Sequence, residues 1–353
     1  MARYLLLVCL VICSCSDSSV KNQSSKIKVC LNPSTELVCI LFYLGGNAEY
    51  NDVFLQSYKS DVDKAFLKFK DSPTVKYTSQ LSKTQEIAYD GPMSYAVHLT
   101  DELTPKVPFD PLPIAMDVRW TAQSATEFQL LVRQFADDTK FFDFYKLHAE
   151  KYKSAIDEIS QKINTEVKME WFDDFYRTPT KPDYTVIISL WNGRNNYGVK
   201  TTINGKESLY SIIGANAGEN EKPILHKSAY ATIIHEFSHS YCNPLVDKHL
   251  SEFDRSGQKL FKKFMSGNHQ MAYDNWVTIW KETLVRACVI CYLKEQGNFI
   301  SNMFINNKDD AMAGFPWTED LADNIRKNYV DNPKYPNFES YLPEIIKFME
   351  KNY

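Results

Sequence analysis

The stretch Ala229 to Asn243, AYATIIHEFSHSYCN, constrains this chain more than any other. It sets His235, Glu236 and His239 in the spacing HExxH. On an α-helix, residues four apart lie about 40° apart around the axis and about 6 Å apart along it, so both imidazoles can meet one metal ion. Glu236 then projects beside that ion, where a carboxylate can take a proton from water. The neighbours Ile233, Ile234, Phe237 and Tyr241 predict a largely buried helix. Two buried histidines and a buried glutamate need partners, and a metal supplies one. A solvated surface helix would instead carry polar neighbours.

A catalytic zinc takes three protein ligands and keeps one position for water. The pattern HExxHxxGxxH of the metzincins would need glycine and histidine where this chain has Cys242 and Leu245, so that class is excluded. The helix is predicted to end before Pro244, and Asp247 or His249 would have to return through a loop. Glu282 fits better as the third ligand. It lies in DNWVTIWKETLVRA, Asp274 to Ala287, a predicted helix with an apolar body in which an acid needs a reason to be present. The competing reading is a solvated Glu282 paired with Arg286 one turn later. Glu252 and Glu295 are weaker candidates. A structural four-ligand site would have to use Cys242, which follows His239 too closely.

Composition narrows the class. A formal charge of -4 with no dense basic patch argues against a nucleic-acid binder. The 21 Tyr, 21 Phe and 6 Trp predict a core rich in large rings. Arg3 and the apolar run Tyr4 to Ile12 read as an export signal over residues 1–14, the run being too short for a permanent span. Ile12-Cys13-Ser14-Cys15 resembles a bacterial lipobox, with Cys15 as the residue to be lipidated; the rival is a plain secretory signal. Residues 15–28 form a Ser-rich tether. An outer-membrane or periplasmic lipoprotein held to the membrane through Cys15, or a secreted protein, is therefore expected. Cys30, Cys39, Cys242, Cys288 and Cys291 make no regular disulfide framework, and the CxxC of Cys288 and Cys291 reads as buried small side chains.

The pattern along the chain is α+β and predominantly helical. Helices are expected over residues 36–44, capped by Ser34, over 53–69, ending before Pro73, and over 82–99 with a break at Gly91-Pro92. Pro105 to Pro113 mark a long loop. A capping box at Ser124 and Glu127 opens the next helix, and residues 139–164 form a longer one. His148 on its aromatic stripe reads as a hydrogen-bonded structural histidine. Trp171 to Tyr176 form an aromatic cluster before a linker from Pro179 to Pro182. Strands are predicted at residues 184–190 and 207–214, then helices at 229–243, 252–265, 272–296 and 341–351. This divides the chain into a helical region, residues 29–180, and a region with a small sheet beside the HExxH helix, residues 181–353.

HEFSH followed by Asn243-Pro244, with ETLVRA downstream, resembles the HExxH-containing domain family found in exported proteins and lipoproteins of Bacteroidota-type bacteria, which belongs with the gluzincin-like zincins. Similarity extends through Glu36 to Tyr50, Asp61 to Phe66, Tyr89 to Leu99 and Asn196-Tyr197-Gly198, nearly the whole mature chain. The resemblance implies a zincin-like metallopeptidase core preceded by an integral helical region. His235, His239 and Glu282 would be Zn2+ ligands and Glu236 the general base. The chain departs from better-known gluzincins in having Arg286 rather than an aspartate one turn after the third ligand. The hydrogen bond that orients a zinc histidine must then come from elsewhere, and Tyr197 is the candidate to stabilise the oxyanion. A peptide or protein substrate, no nucleic acid, and a monomer are expected, and residues 207–214 could pair with the peptide. The alternative is a non-catalytic lipoprotein that binds peptide or glycan on the same scaffold.

Overall fold

The computed structural model describes residues 26–179, 181–265, 275–296 and 315–353. Among these it shows twelve α-helices and a mixed four-stranded sheet. The export signal, Cys15 and most of the tether lie outside the described residues. Among the described residues no helix is long and apolar enough to cross a membrane.

The sheet is built from β1 (Lys28–Cys30), β2 (Asp183–Ser189), β3 (Tyr197–Ile203) and β4 (Lys206–Gly214), in the order β1-β2-β4-β3. β1 and β4 flank β2 in parallel, with Val29 opposite Val186 and Ile187 opposite Ile212. β3 closes back on β4 as an antiparallel hairpin. Its two-residue turn is Asn204-Gly205, both at positive φ, the Asn-Gly hairpin dipeptide that the sequence carries between VKTTI and KESLY. β4 is therefore interior, paired on both sides, and cannot accept a peptide by edge addition; among the described residues β1 and β3 are the edge strands, and β3 is the one that packs on α8. β1 draws the end of the tether into the fold, with the buried Ile27 N–H donating to Asn164 Oδ1 at 2.9 Å.

The N-terminal helices are α1 (Pro33–Leu44), α2 (Gln56–Phe66), α3 (Pro73–Gln85), α4 (Asp90–Ala96), α5 (Ala122–Thr139), α6 (Phe141–Glu166) and α7 (Glu170–Tyr176). The helical stretch expected before Pro73 does end there, at Phe69, and Pro73 itself opens the next helix, because proline at the first position forfeits only an N–H that would be orphaned anyway, and Ser72 caps it. The capping box lies one turn earlier than expected, between Thr121 and Ser124. Glu127 instead accepts from the Tyr77 hydroxyl at 2.7 Å. The expected aromatic core is present: Trp120, Trp191, Trp280 and Trp317 are all buried, and Tyr95 stacks on Trp120 at 4.7 Å.

The C-terminal helices are α8 (Ala229–Lys248), α9 (Leu250–Met265), α10 (Trp276–Gln296), α11 (Thr318–Asn328) and α12 (Leu342–Asn352). α8 runs through Pro244 instead of stopping before it. Proline costs the helix its bond to the Ser240 carbonyl. That loss falls on an exposed face, while Cys242 and Val246 on the opposite face are fully buried and hold the helix down. α10 packs along α8, with Cys242 Sγ and Cys288 Sγ 3.9 Å apart in the contact. Cys288 and Cys291 are both fully buried, as expected of structural thiols.

Candidate metal centre

His235 and His239 leave one face of α8 a single turn apart, and their Nε2 atoms lie 3.1 Å from each other. Glu282 approaches from α10, with Oε1 3.5 Å from His239 Nε2 and Oε2 3.8 Å from His235 Nε2. The three donor atoms all lie within 4.8 Å of one another. Two imidazole nitrogens and one carboxylate oxygen are the donor set of hydrolytic zinc.

The protonation states suit a cation. Burial pushes His235 down to about 3, against the charge of Glu282 and with help from His239 and Arg286, so it stays neutral at pH 7. Burial acts to raise Glu282, but His235, His239 and Arg286 outweigh it and hold the carboxyl below its ordinary value. His239 is also fixed in tautomer. Its Nδ1 lies 3.2 Å from Asn243 Oδ1, an oxygen that can only accept, so Nδ1 carries the proton and Nε2 keeps its lone pair for a metal.

Arg286 Nε and Nη2 both reach Glu282 Oε2 at 3.1 Å, and the guanidinium covers the Phe315 ring at 4.6 Å. The pairing with Arg286 and the approach to the histidines are thus not rival fates for Glu282. One oxygen is steered by the arginine while the other faces His239.

Glu236 is buried, and β3 crosses α8 directly at this residue. A Cβ on Gly198 would lie 2.2 Å from the Glu236 carbonyl oxygen, so only glycine permits the approach. Burial pushes the Glu236 carboxyl up to about 7; His239 and the Gly198 amide lower it, while Glu282 and Asp90 raise it further. A carboxylate that titrates near neutrality suits a general base.

Tyr197 is placed differently. It neighbours Gly198 on β3 and so points to the other face of the sheet, where its buried ring stacks on Tyr50 at 6.2 Å. The structure does not bring it to the His235, His239 and Glu282 group. The weaker ligand candidates are engaged elsewhere: His249 with Glu252 and Glu339 at 2.7 and 2.9 Å, Asp247 with Lys281 at 2.7 Å, and Glu295 with Trp171 Nε1 at 2.6 Å. His148 is buried and bonded to the Phe144 carbonyl and to Asp61, as a structural histidine should be. Two residues of the site escaped the sequence reading, Asn243 and Gly198. Asn243 was legible, since it follows His239 by the same four residues that join the two histidines.

The fold and this group together define a mostly helical α+β protein with a possible His-His-Glu metal site on two packed helices. The chain belongs to the family described as Domain of unknown function (DUF4932), whose model matches residues 27–348. No curated protein and no solved structure matches it.

Proposed function

We propose that the protein is a zinc-dependent peptidase of the bacterial cell envelope, of the gluzincin-like kind. The observation that carries this reading is the convergence of His235, His239 and Glu282 next to Glu236, the residue at which the edge strand β3 crosses α8. His235 and His239 would hold zinc through Nε2 and Glu282 through its carboxylate. Zinc bound there supplies Lewis acidity, polarising a carbonyl and acidifying water. Glu236 takes the proton from the attacking water and passes it to the leaving amine. β3 aligns an extended peptide by main-chain pairing along its open edge. Export and possible lipidation at Cys15 rest on the sequence of the N-terminus.

The test is the zinc content of the purified protein beside Glu282→Ala and Glu236→Gln, with turnover of a mixed peptide library by each. The expected result is about one zinc per chain in wild type, loss of zinc in Glu282→Ala, and full zinc without turnover in Glu236→Gln. Unchanged zinc binding in Glu282→Ala removes that ligand. Zinc in the wild type without any turnover transfers the assignment to a peptide- or glycan-binding lipoprotein.

A further inference from the structure

A cavity of about 230 Å³ lies alongside α8 and β3, lined among others by Lys200, Leu209, Ser240, Tyr241, Pro244 and Phe338. Its position follows from the crossing at Gly198 and Glu236. Lys200 is two residues beyond Gly198 on the same face of β3, about 7 Å along the strand. Ser240 is one turn beyond Glu236 on α8, about 6 Å along the helix. The cavity therefore lies about one helical turn beyond the crossing, and two of its walls are continuations of α8 and β3, the elements that meet there.

Its charged groups are paired. Lys200 is paired with Glu207 at 3.1 Å, and Glu339, which also lines it, is held by Lys248 at 2.6 Å and His249 at 2.9 Å. Each of these charges is therefore paired with an opposite one on the protein. Thr178, Ser240 and Asn337 add uncharged polar groups, and the larger part of the remaining wall is ring and aliphatic surface: Tyr176 stacks on Tyr241 at 4.2 Å with the rings 5° from parallel, the Tyr241 hydroxyl is bonded to that of Tyr184, and Leu209 is buried behind them. The volume equals that of about eight liquid water molecules, room for a side chain of the size of phenylalanine.

We propose that this cavity is the subsite that selects a large, uncharged, apolar side chain in a peptide lying along β3, about two positions from the scissile bond. The proposal rests on the peptidase reading for its register, but the cavity's preference can be measured without catalysis.

Digestion of a proteome-derived peptide library, with the products sequenced by mass spectrometry, should show Phe, Tyr, Leu or Met enriched at the second residue on one side of the cut. Leu245 lines the cavity six residues beyond His239, and Leu245→Trp should fill it and lower the ratio of Phe to Ala at that position at least tenfold. Zinc content equal to wild type certifies that the variant is folded, and Leu245→Ala, which enlarges the cavity, should move the preference toward Trp. Turnover with no preference at that position, or a preference that both variants leave untouched, overturns the proposal. In parallel, Glu236→Gln protein is titrated with a blocked octa-alanine and with single-Phe versions of it. At least one Phe peptide should bind about tenfold tighter, and adding Leu245→Trp should abolish the difference. That result in a protein that cleaves nothing retires the peptidase and keeps the subsite; equal binding of all these peptides retires the subsite.

Discussion

Asn243 Oδ1 lies 3.2 Å from Nδ1 of His239, so one turn of α8 supplies both a metal-facing imidazole and the group that sets its tautomer. Outer hydrogen bonds of this kind are worth about 10- to 100-fold in metal affinity. Asn243→Ala should weaken zinc binding by that factor, and Asn243→Asp, which keeps an acceptor, should retain it. Competition against a chromogenic chelator reads both, and equal affinities in all three proteins would remove the role.

Gly198 and Glu236 meet backbone to backbone, where neither can yield by a rotamer change. Gly198→Ala should lower stability by about 1–3 kcal/mol. It should also move β3 away from α8, reducing kcat/KM while zinc content stays at the wild-type level. Urea unfolding and steady-state kinetics on the same preparation check this; a wild-type Tm with wild-type kinetics contradicts the close approach.

Glu36 of α1 is a buried carboxyl whose Oε2 accepts from Ser189 Oγ at 3.2 Å and from the Leu190 N–H at 3.3 Å. Burial pushes it from 4.5 up to about 7, although bonds from Tyr58, Ser189 and Leu190 act to lower it. Between these two values the folded state holds a proton that the unfolded state has released. Stability must then fall as pH rises through that window, by about 3 kcal/mol in all, and level off above it. Glu36→Gln keeps the acceptor oxygen without the charge, so its advantage over wild type should grow across the same window. Urea midpoints measured from pH 4.5 to about 8 test the sign; a parallel pair of curves refutes it.

Cys39, Cys242, Cys288 and Cys291 have no exposed surface, and burial raises the thiols of Cys39, Cys288 and Cys291 above their ordinary value. Thiolate and access are both required for alkylation. Iodoacetamide should therefore leave all four unmodified in the native protein and label them after denaturation, as read by peptide mass spectrometry. Native labelling of Cys288 or Cys291 would show that α10 opens locally.

The candidate ligand histidines were legible because their spacing is a local property: four residues on any helix return to the same face. Glu282 was legible as an acid inside the apolar run of α10, an environment it must share with cations. The strands were harder. The run 184–190 stood out by its β-branched residues, but β3, VKTTI with a Lys at its centre, is half exposed and alternates weakly, and three-residue β1 carries almost no pattern. Pro244 misled the helix boundary because a proline's effect depends on which face it occupies, and faces are assigned by packing.

What the sequence determined by itself was the candidate donor set, His235, His239 and Glu282, and the candidate base Glu236, since helical periodicity and the energetic penalty of buried polar groups act within a single segment. Tertiary structure alone decided that β3 rather than β4 is an edge strand, that Gly198 touches Glu236, that Tyr197 faces Tyr50, and that a cavity lies along α8 and β3 beyond their crossing. Each of these depends on which strand pairs with which and on how a helix crosses a sheet. Such pairings join residues far apart in the chain, and no local period encodes them.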